Sequence, residues 1–171
     1  MSLVADLGIE LHQPNTAEKL ARSLGSSRVG AMVFSKTLHH IDRLTGRIGN
    51  GSHTMTEVTT GLPTIELTST GAKSGQLRTS PLIAIPFDGN VAVVGSGWGT
   101  DKTPAWVFNL RANRQADISF PGRSATVKAR ELVDDERDLA LAAAIAIHAG
   151  YAEYPRRASH RHIAVFCLEP Q

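Results

Sequence analysis

The stretch 68–82 constrains the fold most, because a β-like run breaks into a Gly- and Ser-rich turn and then resumes. The turn contains two glycines and Lys73, and Arg78 follows it. Glycine adopts turn conformations closed to other residues and leaves backbone N–H groups exposed, while the two cations place positive charge on either side. The stretch therefore predicts a β-hairpin whose turn binds an anion such as phosphate, with a solvated basic turn as the alternative.

Several familiar catalytic motifs are absent. The turn is not a nucleotide-hydrolysing P-loop, because Lys73 precedes Ser74-Gly75 instead of following the second glycine of G-x-x-x-x-G-K-[ST]. Gly95-Ser96-Gly97 is only superficially like the G-x-S-x-G elbow of hydrolases. The histidines lack metal-ligand spacing, since His39 and His40 are adjacent and no cysteine partners them. The sequence therefore predicts no metal site and disfavours hydrolase chemistry.

A second loop of small residues, 96–102, ends in Lys102 and leads into a short helix. Pro104 suits the first turn of a helix, and Thr103 is its predicted N-cap. Apolar side chains at helical spacing predict a buried stripe of Trp106, Val107 and Leu110. Both loops follow strand-like apolar runs, so we expect this helix to hold the second loop in place.

The remaining pattern is that of a small β-barrel. Six runs rich in β-formers are predicted strands: 64–68, 79–87, 91–95, 116–120, 124–133 and 162–168. Asp88-Gly89-Asn90 is a predicted hairpin turn. Asp134 to His148 is a predicted helix with acidic residues at its N-terminus and Gly150 as its stop. The predicted fold class is mainly β with flanking helices (α+β), a six-stranded barrel.

The N-terminal third has two parts. From residue 1 to 28 the sequence is polar and weakly periodic, so we expect a flexible segment with little fixed structure. From 29 to 48 apolar residues recur three or four apart, which predicts an amphipathic helix before a glycine-rich connection at 46–53. This helix packs across the barrel or, as the alternative, lies on a membrane surface. Residues 29–171 are expected to form one domain, since 171 residues at 42% hydrophobic suffice for one core.

Charge and cysteine content limit the class of partner. Eighteen Lys and Arg against sixteen Asp and Glu leave a net charge of only +2, so the sequence predicts no nucleic-acid partner. The single cysteine, Cys167, lies in the apolar run 163–168, which predicts a buried thiol and a reducing compartment. No run approaches the roughly 20 apolar residues of a membrane span. We expect a cytoplasmic protein, with peripheral contact at the inner membrane face as the alternative.

The two loops together resemble the deazaflavin-dependent nitroreductase family, whose members use coenzyme F420 on a split β-barrel like that of FMN-binding reductases. The resemblance rests on Thr-Gly-Ala-Lys-Ser-Gly at 70–75, Arg78 and Pro81-Leu82, followed by a Gly-rich loop with Lys, Pro and Trp before Asn109-Leu110. It extends over about residues 63–170. Two positions depart from the family pattern: Ala72 stands where Arg is common, and Gly97-Trp98 stands where Lys-Gly is frequent.

The resemblance implies which residues bind the coenzyme. The first loop would hold the phosphate and the acidic oligoglutamate tail and begin the wall beside the ring, through Lys73, Ser74, Gly75, Arg78, Ser80 and Pro81. The second would pass beside the deazaflavin, through Ser96, Gly97, Trp98, Gly99, Thr100 and Lys102. Asn109 matches a further polar position. Arg and Lys both suit a polyanionic guest, Arg through paired donors and Lys as a mobile charge.

Two tyrosines, Tyr151 and Tyr154, match in spacing the pair that lines the substrate side in relatives. A phenol can donate a hydrogen bond to an acceptor oxygen as negative charge develops there. Ser96 is the third catalytic candidate. As the structural alternative, both tyrosines simply cap the barrel.

The resemblance implies a reductase that transfers a hydride from reduced F420 to a quinone, an activated alkene or a nitroaromatic. The alternatives are an FMN-binding split-barrel oxidoreductase and a noncatalytic protein that sequesters the deazaflavin. The expected partner is a small-molecule acceptor, and both monomer and homodimer remain open.

Overall fold

The computed structural model of the protein describes residues 2–11, 61–97, 102–157 and 162–171. The predicted helix at 29–48 and the connection at 46–53 lie outside them. The strands are β1 Thr64–Thr70, β2 Leu77–Ile83, β3 Ile85–Phe87, β4 Asn90–Val94, β5 Gln115–Phe120, β6 Arg123–Glu131 and β7 Val165–Pro170. The helices are α1 Leu3–Leu7, α2 Ala105–Ala112, α3 Asp134–Ile147, a 3-10 helix Ala149–Glu153 and α4 Tyr154–Arg157.

The described strands form one antiparallel sheet of seven, in the order β2-β1-β5-β6-β7-β4-β3. Its two edge strands, β2 and β3, are consecutive in the chain and are joined by Ala84 alone. A one-residue connection between opposite edges requires the sheet to curl until those edges approach each other. The fold is therefore a split β-barrel with flanking helices, which confirms the predicted class.

The predicted strand 79–87 is two strands, so the described sheet has seven strands instead of the predicted six. β2 pairs with β1, whereas β3 pairs with β4. At the change of partner, the Ala84 N–H donates to the Pro63 carbonyl at 2.8 Å. The apolar pattern continues through this corner, because Ala84 and Ile85 are both fully buried, and so it carries no sign of the break.

The tight turn between β3 and β4 lies where the sequence predicts it. Asp88 and Gly89 have φ values of 48° and 73°, and Phe87 pairs with Asn90 across the turn. Two successive positive φ values are the signature of a type I′ turn, whose twist matches that of the strands it joins.

Two clusters of buried side chains occupy the two faces of the sheet. The inner cluster lies within the curl and draws on five strands through Ile65, Leu67, Val91, Val93, Ala116, Ile118, Val127, Ala129, Phe166 and Leu168. The outer cluster covers the opposite face of β3, β4 and β7 through Ile85, Ala92, Val94, Leu132, Ala140, Ala144, Tyr151, Tyr154, Ile163, Val165 and Cys167. β4 and β7 are thus buried on both faces, and the thiol of Cys167 is buried as predicted.

The first two helices lie at opposite ends of the barrel. α1 is attached to residues at the start of β4 and β6, because the Val4 N–H donates to the Gly89 carbonyl and Arg123 donates to the Asp6 carbonyl at 2.7 Å. α2 is attached at the other end of β6, where Arg111 pairs with Glu131. Side chains of both helices enter the inner cluster. One helix therefore closes each end.

Residues 2–11 depart from the prediction of little fixed structure over 1–28; residues 12–28 lie outside the described part. Leu3 and Leu7 are 1% and 2% exposed, and Ile9 is also buried. Gly8 ends α1 in the left-handed conformation, φ 68°. The sequence did not predict α1 because a helix of five residues is too short to show a periodic apolar pattern.

The predicted start of α2 and the predicted end of α3 need small corrections. α2 begins at Ala105, with Pro104 at the capping position and no side-chain cap, so Thr103 is not its N-cap. Its buried stripe of Trp106, Val107 and Leu110 is confirmed. α3 ends at Ile147 because His148 is extended, and Gly150 lies in the following 3-10 helix instead of stopping α3. Within the described ranges, no helix is long and apolar enough to span a bilayer.

Candidate functional site

The turn after β1 is closed by its own backbone. The Gly71 N–H donates to the Gln76 carbonyl, and the Gly75 N–H donates to the Gly71 carbonyl, both at 2.8 Å. Gly75 has φ +67°, a conformation that other residues rarely adopt. A Cβ on Gly71 would lie 2.6 Å from the Ser74 hydroxyl oxygen. Gly75 is thus favoured by its backbone conformation and Gly71 by the close approach of Ser74 in this turn, 71–76, which we call the cationic turn.

The tip of the cationic turn presents donors outward. The Ala72 N–H donates to Asn109, and the Gln76 N–H donates to the Ser74 hydroxyl at 3.3 Å. Among the described residues, nothing accepts from the N–H groups of Lys73 and Ser74. Both residues are exposed, as is Arg78. Two adjacent N–H groups close to two cationic side chains are suited to an anionic oxygen, and anion binding here stays a prediction.

Arg78 is partly oriented by the turn itself. Its Nη2 donates to the Gln76 side-chain carbonyl at 3.2 Å, which directs the guanidinium back along the turn. The remaining guanidinium donors stay available, since the side chain has five N–H groups in all. Farther along β2, Ser80 is half-buried opposite Leu67, and Pro81 is exposed on this edge strand. The predicted first-loop residues thus follow one another along a single hairpin.

Asn109 braces the cationic turn from α2. It is 6% exposed, its Oδ1 accepts from the Ala72 N–H at 3.0 Å, and its Nδ2 donates to the Ser69 hydroxyl at 3.2 Å. One carboxamide therefore joins α2 to both the end of β1 and the start of the turn. The structure gives Asn109 this supporting role; a direct coenzyme contact stays a prediction.

The second loop begins where β4 packs closely against α2. A Cβ on Gly95 would lie 2.9 Å from Val107 Cγ2, so only glycine permits this approach. The Gly95 N–H donates to the Ala164 carbonyl at 2.8 Å. Ser96 and Gly97 follow and are partly buried, and Lys102 is exposed. Trp98, Gly99 and Thr100 lie outside the described residues.

α2 brings the two loops to the same end of the barrel. Asn109 binds the turn that follows β1, and Val107, two residues earlier, packs on Gly95 at the end of β4. Trp106 anchors the helix in the inner cluster, edge-to-face with Phe166 at 5.8 Å, so it is a core residue as predicted. Arg111 adds a two-pronged hydrogen bond to Glu131 at 2.6 and 2.8 Å. The helix thus connects the cationic turn and the end of β4 to the barrel.

The two tyrosines belong to the outer cluster, on the sheet face opposite α2. Tyr151 and Tyr154 are 5% and 3% exposed, and their rings meet edge-to-face with centroids 5.5 Å apart. Val94 of the same cluster comes directly before Gly95, so the tyrosines share a cluster with the strand that leads into the second loop. Burial raises the pKa of Tyr151 above that of an ordinary phenol, which is already protonated at neutral pH. A substrate contact stays a prediction.

The sequence did not reveal several residues that support the site. Ser69 is buried and receives the Asn109 hydrogen bond, but it reads as one more small residue in a strand. Gly95 ends a predicted strand, where a glycine usually signals only a turn. Arg111 and Glu131 are 20 residues apart, and no local pattern predicts that pair. The hydrogen bond from Arg111 lowers the pKa of Glu131.

Within the described ranges, no group of three or more His, Cys, Asp or Glu side chains is arranged to hold a metal ion.

A family model described as F420H(2)-dependent quinone reductase matches residues 40–170. An F420H(2)-dependent quinone reductase of Mycobacterium tuberculosis is 31% identical over 78 residues, which is 46% of this chain and 52% of the relative. The chain therefore spans about half the length of the curated relative it matches.

Two solved structures are also similar. One, described as an F420-H2 dependent reductase (FDR-A), is 36% identical and covers 63% of this chain and 94% of its own, with a TM-score of 0.57. Another, described as a domain-swapped dimer, is 32% identical and covers 77% of this chain and 98% of its own, with a TM-score of 0.60.

Proposed function

The chain belongs to the F420H(2)-dependent quinone reductase family, and we propose that it oxidises the reduced deazaflavin coenzyme F420 with a quinone as acceptor. One observation carries the proposal beyond family membership. The cationic turn presents two adjacent N–H groups between Lys73 and Arg78, and α2 holds this turn at the same end of the barrel as the second loop. Activated alkenes and nitroaromatics are further acceptors of the same electron-poor kind.

The residues of the turn fit the coenzyme's anionic part. Phosphate and carboxylate oxygens accept strongly from exposed backbone N–H groups and from Arg and Lys. A Cβ on Gly71 would lie 2.6 Å from the Ser74 hydroxyl oxygen and would displace it. Ala72 is exposed at the turn and brings no charge, so Lys73 and Arg78 supply the cationic side chains. Affinity should therefore depend strongly on these two residues and on salt.

In the proposed reaction, the protein binds the coenzyme and the acceptor, orients them, and provides hydrogen-bond donors to the acceptor. When bound, the reduced deazaflavin supplies a hydride to the acceptor. Reduction of a quinone to a quinol by hydride also consumes one proton, which must come from a side chain or from water. We assign Tyr151 and Tyr154 to the acceptor side as hydrogen-bond donors, and Ser96 to the second loop beside the ring.

The proposal also covers the assembly of the protein, its compartment and its contact with membranes. A homodimer is the proposed assembly, since one similar structure is described as a domain-swapped dimer; size-exclusion chromatography with light scattering tests it. We expect the protein in the reducing cytoplasm, in keeping with its single buried cysteine. Peripheral membrane contact through 29–48 is a separate proposal, tested by flotation with anionic lipid vesicles.

Steady-state oxidation of reduced F420 by menadione tests the proposed activity, with an enone and a nitroaromatic as further acceptors. Protein-dependent oxidation supports the reductase. Tight binding of F420 without turnover by any acceptor supports the sequestering alternative. A yellow protein that retains FMN and ignores F420 supports the FMN-binding alternative.

Replacement of the two cations separates coenzyme binding from general loss of charge. Lys73→Ala/Arg78→Ala should raise the Kd for F420 by at least tenfold at 50 mM salt, and by less at 500 mM salt because screening already weakens the wild type. Lys128→Ala is the matched control, because Lys128 is an exposed cation of β6. An unchanged Kd in the double variant would remove the cationic turn from the proposal.

A further inference from the structure

Three buried rings, two of them in the outer cluster, form a continuous edge-to-face series. His148 and Tyr151 have ring centroids 5.8 Å apart at an interplanar angle of 82°, and Tyr151 and Tyr154 follow at 5.5 Å and 90°. All three side chains are buried, with 8% of His148 exposed. Edge-to-face contacts favour one relative orientation of two rings, so each ring limits the tilt of the next. His148 is the first member of the series.

The backbone on both sides of His148 is fixed. Its N–H donates to the Ala144 carbonyl at 2.9 Å, which ties it to the last turn of α3. Its carbonyl accepts from the Tyr151 N–H at 3.0 Å, which closes the first turn of the 3-10 helix. The imidazole and the Tyr151 ring therefore project from two backbone positions held in a fixed relation.

Gly150 makes room for the imidazole. A Cβ on Gly150 would lie 2.4 Å from His148 Nε2, closer than a real Cβ approaches another atom, and 3.0 Å from Cδ2 and 3.1 Å from Cε1, which are tight contacts. Gly150 has an ordinary backbone conformation, since it is absent from the described glycines with positive φ. The packed ring, and not backbone geometry, thus requires glycine at 150.

We propose that His148, seated on Gly150, is a positioning residue that sets the orientation of Tyr151 and, through it, of Tyr154. The inference rests on the proposed function, in which these phenols line the acceptor side. Loss of the imidazole frees the Tyr151 ring to tilt toward the vacated space, and the direction of its hydroxyl changes with it. His148 acts on the acceptor through the tyrosines.

A double-mutant cycle isolates this contact. His148→Ala removes the ring, and Gly150→Ala displaces it. Each single variant should lower kcat/KM for menadione by about tenfold, because small misplacements of a donor reduce the rate while the Kd for F420 depends on other loops. Gly150→Ala in the His148→Ala background should cause no further loss, since the methyl group then meets no ring. His162→Ala is the control, because His162 is exposed, and it should leave kcat/KM for menadione and the Kd for F420 unchanged.

A purely structural contact would lower Tm and leave the acceptor parameters of the folded variants alone. His148→Phe keeps a ring over Gly150 and should retain kcat/KM within about threefold of wild type. Circular dichroism verifies that each variant is folded. If His148→Ala does not fold, Gly150→Ala serves the test, and an unchanged kcat/KM in folded Gly150→Ala then overturns the inference.

Additive losses in the cycle, unchanged kcat/KM in folded His148→Ala, or a folded His148→Phe as slow as His148→Ala would each overturn the inference. Wild-type protein that fails to oxidise reduced F420 would instead overturn the proposed function itself, so the two failures are distinct.

Discussion

Replacement of Asn109 tests whether α2 holds the coenzyme site in shape. Asn109→Ala removes the hydrogen bonds to the Ala72 N–H and the Ser69 hydroxyl, at 3.0 and 3.2 Å. Each contributes about 1 kcal/mol net, and the Ser69 hydroxyl, only 1% exposed, is then left without this partner at a cost of about 1 kcal/mol more. We expect the free energy of unfolding to fall by about 2–3 kcal/mol.

The cationic turn should also bind its anion less tightly in Asn109→Ala. A turn without its brace must be ordered when the ligand binds, and fixing one residue costs about 1–2 kcal/mol. Since 1.4 kcal/mol corresponds to tenfold in affinity, the Kd for F420 should rise about tenfold. Titration of F420 fluorescence measures the Kd, and urea unfolding followed by circular dichroism measures stability.

Two further variants make the result specific. Asn113→Ala is the control, because Asn113 lies one helical turn later, is exposed, and its side chain binds Thr70 at 3.4 Å and the Gln115 N–H at 3.1 Å instead of the cationic turn; it should change the Kd by less than about twofold. Asn109→Asp keeps the side-chain shape but adds negative charge beneath an anion site, so it should weaken F420 binding more than it lowers stability. A folded Asn109→Ala protein with the wild-type Kd would refute the role of α2 as a brace.

Three other predictions concern the barrel. Leu3→Ala should lower the free energy of unfolding by about 2–4 kcal/mol in urea titration, because Leu3 is 1% exposed in the inner cluster; a loss below 0.5 kcal/mol would show that α1 does not close the barrel. Glu131→Gln should lower stability by less than about 1 kcal/mol at pH 7, since the pair with Arg111 is partly exposed. The folded pKa of Glu131 lies below its ordinary value of 4.5, so this difference should persist above pH 4.5 and vanish as pH falls through the folded pKa; a difference that grows in acid would contradict the pairing. Burial raises the pKa of Cys167 to about 11, so iodoacetamide at pH 8 should alkylate the native thiol at least about a hundredfold more slowly than the thiol in 8 M urea, and equal rates would contradict its burial.

The family resemblance and the strand pattern predicted the barrel because both depend on local sequence. The observed bounds of five strands lie close to the predicted ones, because apolar residues alternate in β1, β4, β5, β6 and β7. The Asp-Gly turn was predicted because these two residues favour its geometry. The division at Ala84 was not visible, since it is caused by a change of pairing partner and not by a change in the residues. Partner choice depends on the whole sheet, which no short window contains.

The contacts that support the site also could not be predicted from the local sequence. Lys73, Arg78 and the two glycines of the turn could be identified because glycine and charge have strong local meaning. Asn109 was named for its family position, yet its contacts join residues 37 and 40 positions away. Gly150 illustrates the same limit, since it reads as a helix stop and in fact accommodates a ring two residues earlier.

The N-terminus adds a feature outside the family match, which begins at residue 40. α1 lies in the inner cluster and β1 in the sheet.

The central claim is that this protein takes a hydride from reduced F420 and passes it to a quinone. Stopped-flow mixing of reduced F420 and protein with menadione, followed by the absorbance of the oxidised deazaflavin, tests it directly. We predict rapid, protein-dependent reappearance of that absorbance, slowed in Lys73→Ala/Arg78→Ala at subsaturating coenzyme and unaffected in Lys128→Ala. A rate equal to that without protein, at coenzyme concentrations where binding is demonstrated, would contradict the account.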